Sequence, residues 1–539
     1  MVDERKDEPK DGPKTEAPTP KQIREAVEER IRQESAAYPD PSKNNGTIPS
    51  AYVQQCLTAS ELGDGLLFAA VNKNRFIYNV STGEWYEWHE HFWRRDLHDQ
   101  ALAGVENVVT RLLEETTELS KKIDWTIKKQ DKDLRKKLED QRYRIYRRIK
   151  TLRTMNGRDR CLRGSRSCND PITIEGAAFD ALPMYLACKN GVMDLESGKF
   201  RPGRQSDFMS MACPTEWKGW DEPATEWEKF LLDIFAGDED LITFMHRLLG
   251  YAITGLTTEH IMPVLWGKGR NGKGTLVETF IHVLGPLACP VQAELLLSEW
   301  RPRSASAPSP DIMALKGLRI AFASETDEGR HFSSAKVKWL TGGDQLVGRN
   351  PHDRHNTHFA PTHTLFLMTN NKPGVSSGDD FAFWERMLLI PFTMSFINRE
   401  PKGRNERRAV KDIKETLQEE ASGILAWLVK GCLDYQKNGL PLPEAVTKAT
   451  LEYREDEDLL GQFVDGYLVR DTGAKTTSAD LYDLFNRWYK KFMSSKGISH
   501  KRFGSMMKKK FNPRKIGGNV HYIGVEIDPV KAADLRGED

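Results

Sequence analysis

The chain has little that would tie it to a membrane or to an oxidising compartment. Its 539 positions contain no stretch of about twenty apolar residues, and the first thirty are charged rather than hydrophobic. That pattern predicts neither a transmembrane helix nor a secretory signal. The seven cysteines are scattered, and the spacing of the nearest pair, Cys161 and Cys168, fits neither a zinc knuckle nor a dense disulfide framework. A reducing cytoplasm is the expected location. Charge of one sign is also missing: lysine plus arginine number 79 against 78 aspartates and glutamates. The protein is therefore not a polycation, and any nucleic-acid surface must be local. His352, His355, His358 and His363 lack regular ligand partners and read as loop histidines rather than a metal site.

What is present is a glycine-rich turn in a telling place. Gly267-Lys-Gly269-Arg-Asn271-Gly272-Lys273-Gly274-Thr275 follows the apolar run Ile261-Met-Pro-Val-Leu-Trp266 and precedes a helix-like stretch, 276–284. Glycines let backbone N–H groups turn inward around an anion, the helix adds its positive end, and Lys273 adds an ammonium for phosphate. In the usual form a serine or threonine follows the lysine and binds Mg²⁺. Here that place is Gly274. Thr275 comes one position late, and one helical step turns a side chain by roughly 100°, so its hydroxyl reaches a metal only if the loop adjusts.

Further along, Leu318-Arg-Ile-Ala-Phe-Ala-Ser-Glu325 reads as a buried strand ending in a carboxylate that could hold Mg²⁺ and polarise water. Asp327 and Glu328 follow as a second acid or as a solvated turn. A second strand, Leu365-Phe-Leu-Met-Thr, delivers Asn370 and Asn371, able to orient water or a phosphate oxygen or simply to form a turn. Then Arg386 precedes the apolar Met-Leu-Leu-Ile-Pro-Phe392, where it could reach a neighbouring subunit's nucleotide and stabilise the transferring phosphoryl group.

In these residues the chain resembles the superfamily III helicases of phages, plasmids and large DNA viruses, in their primase-helicase branch. The resemblance covers most of the chain from about residue 60 onward. The loop at 267–273 matches the family's nucleotide loop, Ala323-Ser-Glu325 its acidic strand end, Thr369-Asn370 its polar sensor, and Trp384-Glu-Arg386 with Ile390-Pro-Phe392 its arginine-finger strand. Lys338-Trp-Leu-Thr-Gly-Gly-Asp344 with Arg349 is similar to the segment leading to the family's DNA-contacting hairpin, which would include His352 and Arg354. Asn190-Gly-Val-Met-Asp194-Leu and Leu248-Leu-Gly-Tyr-Ala-Ile253 are similar to its leader domain. Departures are Gly274 and Glu385, the latter where relatives usually carry a second basic residue.

The resemblance implies an α/β fold: a P-loop NTPase core, AAA+-like, with an α+β N-terminal domain and a C-terminal winged helix. It also implies ATP and Mg²⁺ as cofactors, DNA as partner, and a hexameric ring that encircles DNA and moves along one strand. A separate primase or polymerase is expected. Glu84, Glu87, His89, Glu90 and His91 offer no second strand with a paired aspartate, so the tryptophan-rich segment at 76–93 reads as a packed hairpin rather than a polymerase centre.

Along the chain, residues 1–50 form an expected disordered tail. Residues 51–215 form a leader domain, with 107–155 as one long basic helix that is either solvated or a DNA-facing arm. The ATPase domain spans 216–395, led in by an amphipathic helix at 227–249; a helical lid and subunit contact follows at 396–458. In 459–539, Ser478 opens a helix with apolar positions 481, 484, 485 and 488. A second helix buries Phe503, Met506 or Met507 and Phe511 and presents Lys508, Lys509 and Lys510, and a hairpin wing follows. Those lysines could sit on DNA phosphates, or the module could dock protein. The expected function is an ATP-driven replicative DNA helicase. An ATP-assembled origin-binding scaffold without unwinding is the alternative.

Overall fold

The computed structural model describes residues 48–168, 171–298, 307–324, 330–351, 356–375, 380–492 and 497–536. The expected tail lies outside the described residues up to position 47, and its last residue, Ser50, already opens helix α1 (Ser50–Thr58). Helix α2 (Ser60–Asn72) leads into an antiparallel meander of β1 (Phe76–Asn79), β2 (Glu84–His89) and β3 (Phe92–Arg95). The expected hairpin is thus three-stranded. Its tryptophans staple it: Trp88 and Trp93 face each other across β2 and β3 with ring centroids 5.3 Å apart.

The single basic helix expected over 107–155 is a helical hairpin. Helix α3 (Val105–Lys128) and α4 (Lys132–Leu152) pack along each other, and the chain reverses at Gln130, whose φ is +55°. No proline or glycine is needed, because the Asp131 carboxylate accepts from Leu134 N at 2.9 Å and starts a new helix. Helix α5 (Met155–Arg166) returns against α2. Strand β4 (Thr173–Ile174) joins β1 in parallel, and β5 (Tyr185–Cys188), β6 (Gly191–Asp194) and β7 (Lys199–Arg201) form a second meander.

The expected amphipathic helix at 227–249 is likewise two, α6 (Thr225–Ile234) and α7 (Glu239–Ala252). Ala236 and Gly237 take φ of +56° and +77° between them, and Asp238 caps α7 through Leu241 N at 3.0 Å.

A five-stranded parallel sheet follows. Its members are β8 (Met262–Trp266), β9 (Ala288–Gln292), β10 (Ile320–Ser324), β13 (Thr364–Thr369) and β14 (Met387–Pro391), in the order β14-β8-β13-β10-β9. Helix α8 (Lys273–Leu284) connects β8 to β9. Helix α9 (Ser334–Thr341) and the antiparallel pair β11 (Leu346–Gly348) and β12 (Thr357–Phe359) lie between β10 and β13.

The strands are apolar on both faces, as a parallel sheet covered on two sides requires. Leu265, Ile320, Phe322, Phe366, Leu388 and Ile390 pack into one core with α6, α7 and α8, while Val264, Ala321, Ala323, Leu365, Leu367 and Leu389 pack into another. Trp227 of α6 sits edge-on to Phe280 of α8 at 5.3 Å and to Trp427 at 5.4 Å, which locks α8 in place.

The region expected to be helical, 396–458, contains α10 (Ile413–Glu419), α11 (Ala421–Asn438) and α12 (Glu444–Glu457), preceded by a short parallel strand pair, Ser395–Ile397 with Glu406–Arg408. Beyond α13 (Leu459–Tyr467) come β15 (Lys475–Thr477), α14 (Ser478–Phe492), α15 (His500–Lys510) and the hairpin of β16 (Pro513–Ile516) and β17 (Asn519–Ile523), with β15 completing a three-stranded sheet. Leu481, Leu484, Phe485 and Trp488 are buried as expected, and Met507 rather than Met506 is the fully buried methionine of α15. The Thr477 hydroxyl, one residue before Ser478, accepts from Asp480 N at 3.1 Å and caps α14.

Candidate functional site

Register decides what meets at the C-terminal edge of the parallel sheet. Trp266 of β8 stands level with Thr369 of β13 and Pro391 of β14, so Gly267, Asn370 and Phe392 emerge side by side. Two backbone bonds stitch them together: Phe392 N donates to Trp266 O at 2.7 Å, and Gly267 N to Thr369 O at 3.4 Å. The glycine-rich loop then turns back over this edge into α8. A Cβ on Gly267 would lie 2.3 Å from Phe392 O, and one on Gly272, at φ +88°, would lie 2.5 Å from Ile234. These two glycines are demanded by close packing and by backbone conformation. Gly269 and Gly274 face open space, where a Cβ would meet nothing within 4 Å.

Lys273 is the first residue of α8 and is only 4 % exposed. Its ammonium donates to Gly267 O and, at 3.1 Å, to Asn370 Oδ1. The structure thus brings together two site residues that lie 97 positions apart in sequence. Burial pushes the Lys273 ammonium down to about 8, because taking a charge out of water favours its neutral form. Asn271 is buried beside it and reaches Phe392 O at 3.4 Å, pinning the loop to the end of β14. The arrangement offers a buried cation, an amide and a helix N-terminus around one point, which is suited to an anion.

Thr275 is not beside Lys273. Two helical steps turn it by roughly 200°, and it lines a separate cavity of about 210 Å³ whose walls include Phe230, Arg270, Phe396, Val410 and Ile413. Of the two expected metal ligands, one therefore faces elsewhere. The other, Glu325, lies outside the described residues, as do Asp327 and Glu328; Ser324, level with Met368, brings β10 to the same sheet edge. The cavity walls are the functional candidates that sequence reading missed. They come from α6, the loop, the segment after β14 and the start of α10, and no local pattern links them.

Arg386 stands at the opposite edge. Its carbonyl accepts from Met262 N at 2.6 Å, just ahead of β14, and β14 runs level with β8 from Met387 and Met262 onward. A five-residue strand, about 15 Å of chain, separates it from the loop of its own subunit. Its Nη1 donates to Ala382 O at 2.6 Å, while Nε is buried with no partner among the described residues.

The expected DNA contacts divide. Lys338 of α9 is held by the Asp380 carboxylate at 3.0 Å, and Lys510 by Asp458 at 2.6 Å, so both are committed to carboxylates of their own chain. Each pair ties one element to another. Arg349 follows β11, with its backbone bonded to Ser309 in both directions. Lys508 is exposed; His352, Arg354 and the Lys509 side chain lie outside the described residues. Of the loop histidines, His358 is exposed on β12 and His363 is buried just ahead of β13, while His355 lies outside the described residues.

A family profile described as D5 N terminal like matches residues 65–236. A protein of Acanthamoeba polyphaga mimivirus named as a putative helicase is 28% identical over 438 residues, covering 78% of this chain and 45% of that protein. One of Invertebrate iridescent virus 3, similarly named, is 28% identical over 362 residues, covering 62% of this chain and 38% of that protein. The chain is thus similar, over most of its length, to proteins of large DNA viruses that carry a helicase name. It spans less than half the length of these curated relatives. The apo structure of the NrS-1 C-terminal region superposes with a TM-score of 0.46 at 12% identity, covering 85% of this chain and 98% of that one. Among the described residues no helix is long and apolar enough to cross a membrane.

Proposed function

We propose that this helicase-like chain is an ATP-hydrolysing DNA helicase of phage or plasmid-type replication, assembling as a ring, a hexamer by family resemblance, that translocates on one strand. The observation that carries the reading is the buried Lys273 ammonium at the start of α8, bonded to Asn370 across the sheet edge. In this reading Lys273 binds the β and γ phosphates, and the loop around Gly267, Gly269, Asn271, Gly272 and Gly274 supplies backbone N–H groups. Asn370 hands the ammonium over to the γ-phosphate and orients the attacking water. The cavity beside Thr275, walled by Phe230, Phe396 and Val410, takes the nucleoside.

Arg386 acts on a neighbour's nucleotide. Its place at the sheet edge away from its own loop supports that role, as does its buried Nε, which has no partner among the described residues; leaving such a group unpaired costs about 1–3 kcal/mol. A bound Mg²⁺ would neutralise phosphate charge, with Glu325 as the residue to hold it. Thr275 faces the cavity instead and is better suited to the nucleoside side. Residues 459–539 are read as a winged helix whose Lys508 meets DNA, 216–395 as the motor, and 51–215 as the leader. The priming enzyme is a separate protein.

Thr275's position also favours a second reading, an ATP-assembled origin-binding scaffold that does not unwind. Strand displacement on a forked DNA substrate separates the two. The helicase reading expects ATP-dependent displacement by the wild type and none by Lys273→Ala, with hydrolysis down by about 10²–10³-fold or more and the circular-dichroism spectrum unchanged. DNA binding and assembly without displacement by the wild type would leave the scaffold, and wild-type turnover by Lys273→Ala would remove both.

A further inference from the structure

The outward face of α4 sets cations and aromatic rings side by side. Taking 100° per residue, Lys136, Tyr143, Arg147 and Lys150 fall on one stripe, with Arg144 and Tyr146 flanking it on either side. Ile145, Ile149 and Leu152 point the other way, into the core shared with α2 and α3. The stripe from Lys136 to Lys150 is about 21 Å long. Its two rings stand open to solvent, Tyr143 at 64% and Tyr146 at 48% exposure.

Several of the acids nearby are already used. Asp64 holds Arg148, Glu106 holds Arg153 and Arg158, Glu61 holds Arg160, Glu139 holds Arg135, and Glu118 holds Lys121. Lys136, Arg144, Arg147 and Lys150 are in no ion pair among the described residues; Asp140 lies among them and Asp133 one turn ahead of Lys136, leaving the face a net excess of cations. In a protein whose formal net charge is only +1, a stripe of unpaired cations interleaved with exposed aromatic rings is a local concentration. Cations alone would suit any anionic surface. Rings that are left uncovered between cations suit unstacked bases on a phosphate backbone, because bases stack on aromatic faces whatever the sequence.

We infer that the outer face of α4 is a binding site for single-stranded nucleic acid, lying on the leader region and not on the sheet that carries the ATP site. The backbone runs along Lys136, Arg144, Arg147 and Lys150, and bases stack on Tyr143 and Tyr146. The inference rests on the chain's acting on nucleic acid, not on its hydrolysing ATP.

The test is fluorescence anisotropy of a labelled oligothymidylate of about twenty nucleotides with the full, nucleotide-free chain over a salt series. Replacing Lys136, Arg144, Arg147 and Lys150 together by alanine should weaken binding about tenfold or more. It should also flatten the log–log salt slope by about 0.7 for each phosphate no longer neutralised. Tyr143→Ala with Tyr146→Ala should weaken binding about fivefold or more and leave the slope unchanged. All six side chains are exposed, so the melting temperature should hold in both variants. Wild-type affinity and slope in the four-cation variant would overturn the inference. So would polyglutamate competing as well as unlabelled oligonucleotide at equal charge, which would make the face a dock for an acidic protein. DNA-free ATP hydrolysis is read on the same samples. If the wild type fails to hydrolyse ATP yet the binding pattern holds, the motor reading falls and the α4 face stands.

Discussion

Lys273 and the cations of α4 are both proposed to meet phosphate, and they are built in opposite ways. Lys273 is buried, fixed by Gly267 O and Asn370 Oδ1, and half discharged by its surroundings near pH 8. The α4 stripe is exposed, and its cations are in no ion pair among the described residues. A buried cation with preset acceptors selects one anion in one pose, whereas an exposed row tolerates a sliding chain. Lys338 and Lys510 show a third use of the same charge: each is spent on a carboxylate of its own chain and holds two elements together.

The comparison can be broken most severely at a group that is buried without partners. Neither ring nitrogen of His363 has a partner among the described residues, and burial pushes the imidazole down to about 4. The unfolded chain takes up that proton below about 6.5 while the folded chain does not. Stability is therefore complete above that pH and is lost as pH falls toward 4, by up to about 3 kcal/mol. His363→Leu should remove this part of the acid sensitivity in urea titrations between pH 7 and pH 4; an unchanged pH profile would mean that burial alone does not set the cost.

A smaller effect sharpens the same point at Lys273. Phosphate binds the protonated ammonium, and in the free protein that ammonium is lost above about pH 8. Nucleotide affinity should therefore be flat below pH 8 and weaken by up to about tenfold per pH unit above it, until the higher value in the complex is reached. Isothermal titration with a non-hydrolysable ATP analogue from pH 7 to pH 9.5 reads this directly. Affinity independent of pH over that range would show that Lys273 is not the phosphate ligand.

How much of this was legible in the sequence depends on distance along the chain. The loop at 267–275 and the strands ending near Ser324 and Thr369 were readable because apolar runs with punctuation are local signals. The two divided helices were misread because Gln130-Asp131 and Gly237-Asp238 stop a helix by capping and positive φ, without proline. The meeting of Lys273 with Asn370 was expected only in outline, since the register between β8 and β13 makes it. The cavity walls at Phe230 and Phe396, and the pairing of Lys338 and Lys510 with acids at positions 380 and 458, had no local trace at all.

Complementation between two inactive variants addresses the proposed motor most directly, because Lys273 and Arg386 lie at opposite edges of one sheet. Lys273→Ala and Arg386→Ala should each lack ATP hydrolysis alone. Mixed one to one, half the subunits bring an intact Lys273 and half an intact Arg386, so random assembly should restore roughly a quarter of the interfaces and of the activity. A mixture as inactive as its two components would contradict a nucleotide site shared between neighbouring subunits.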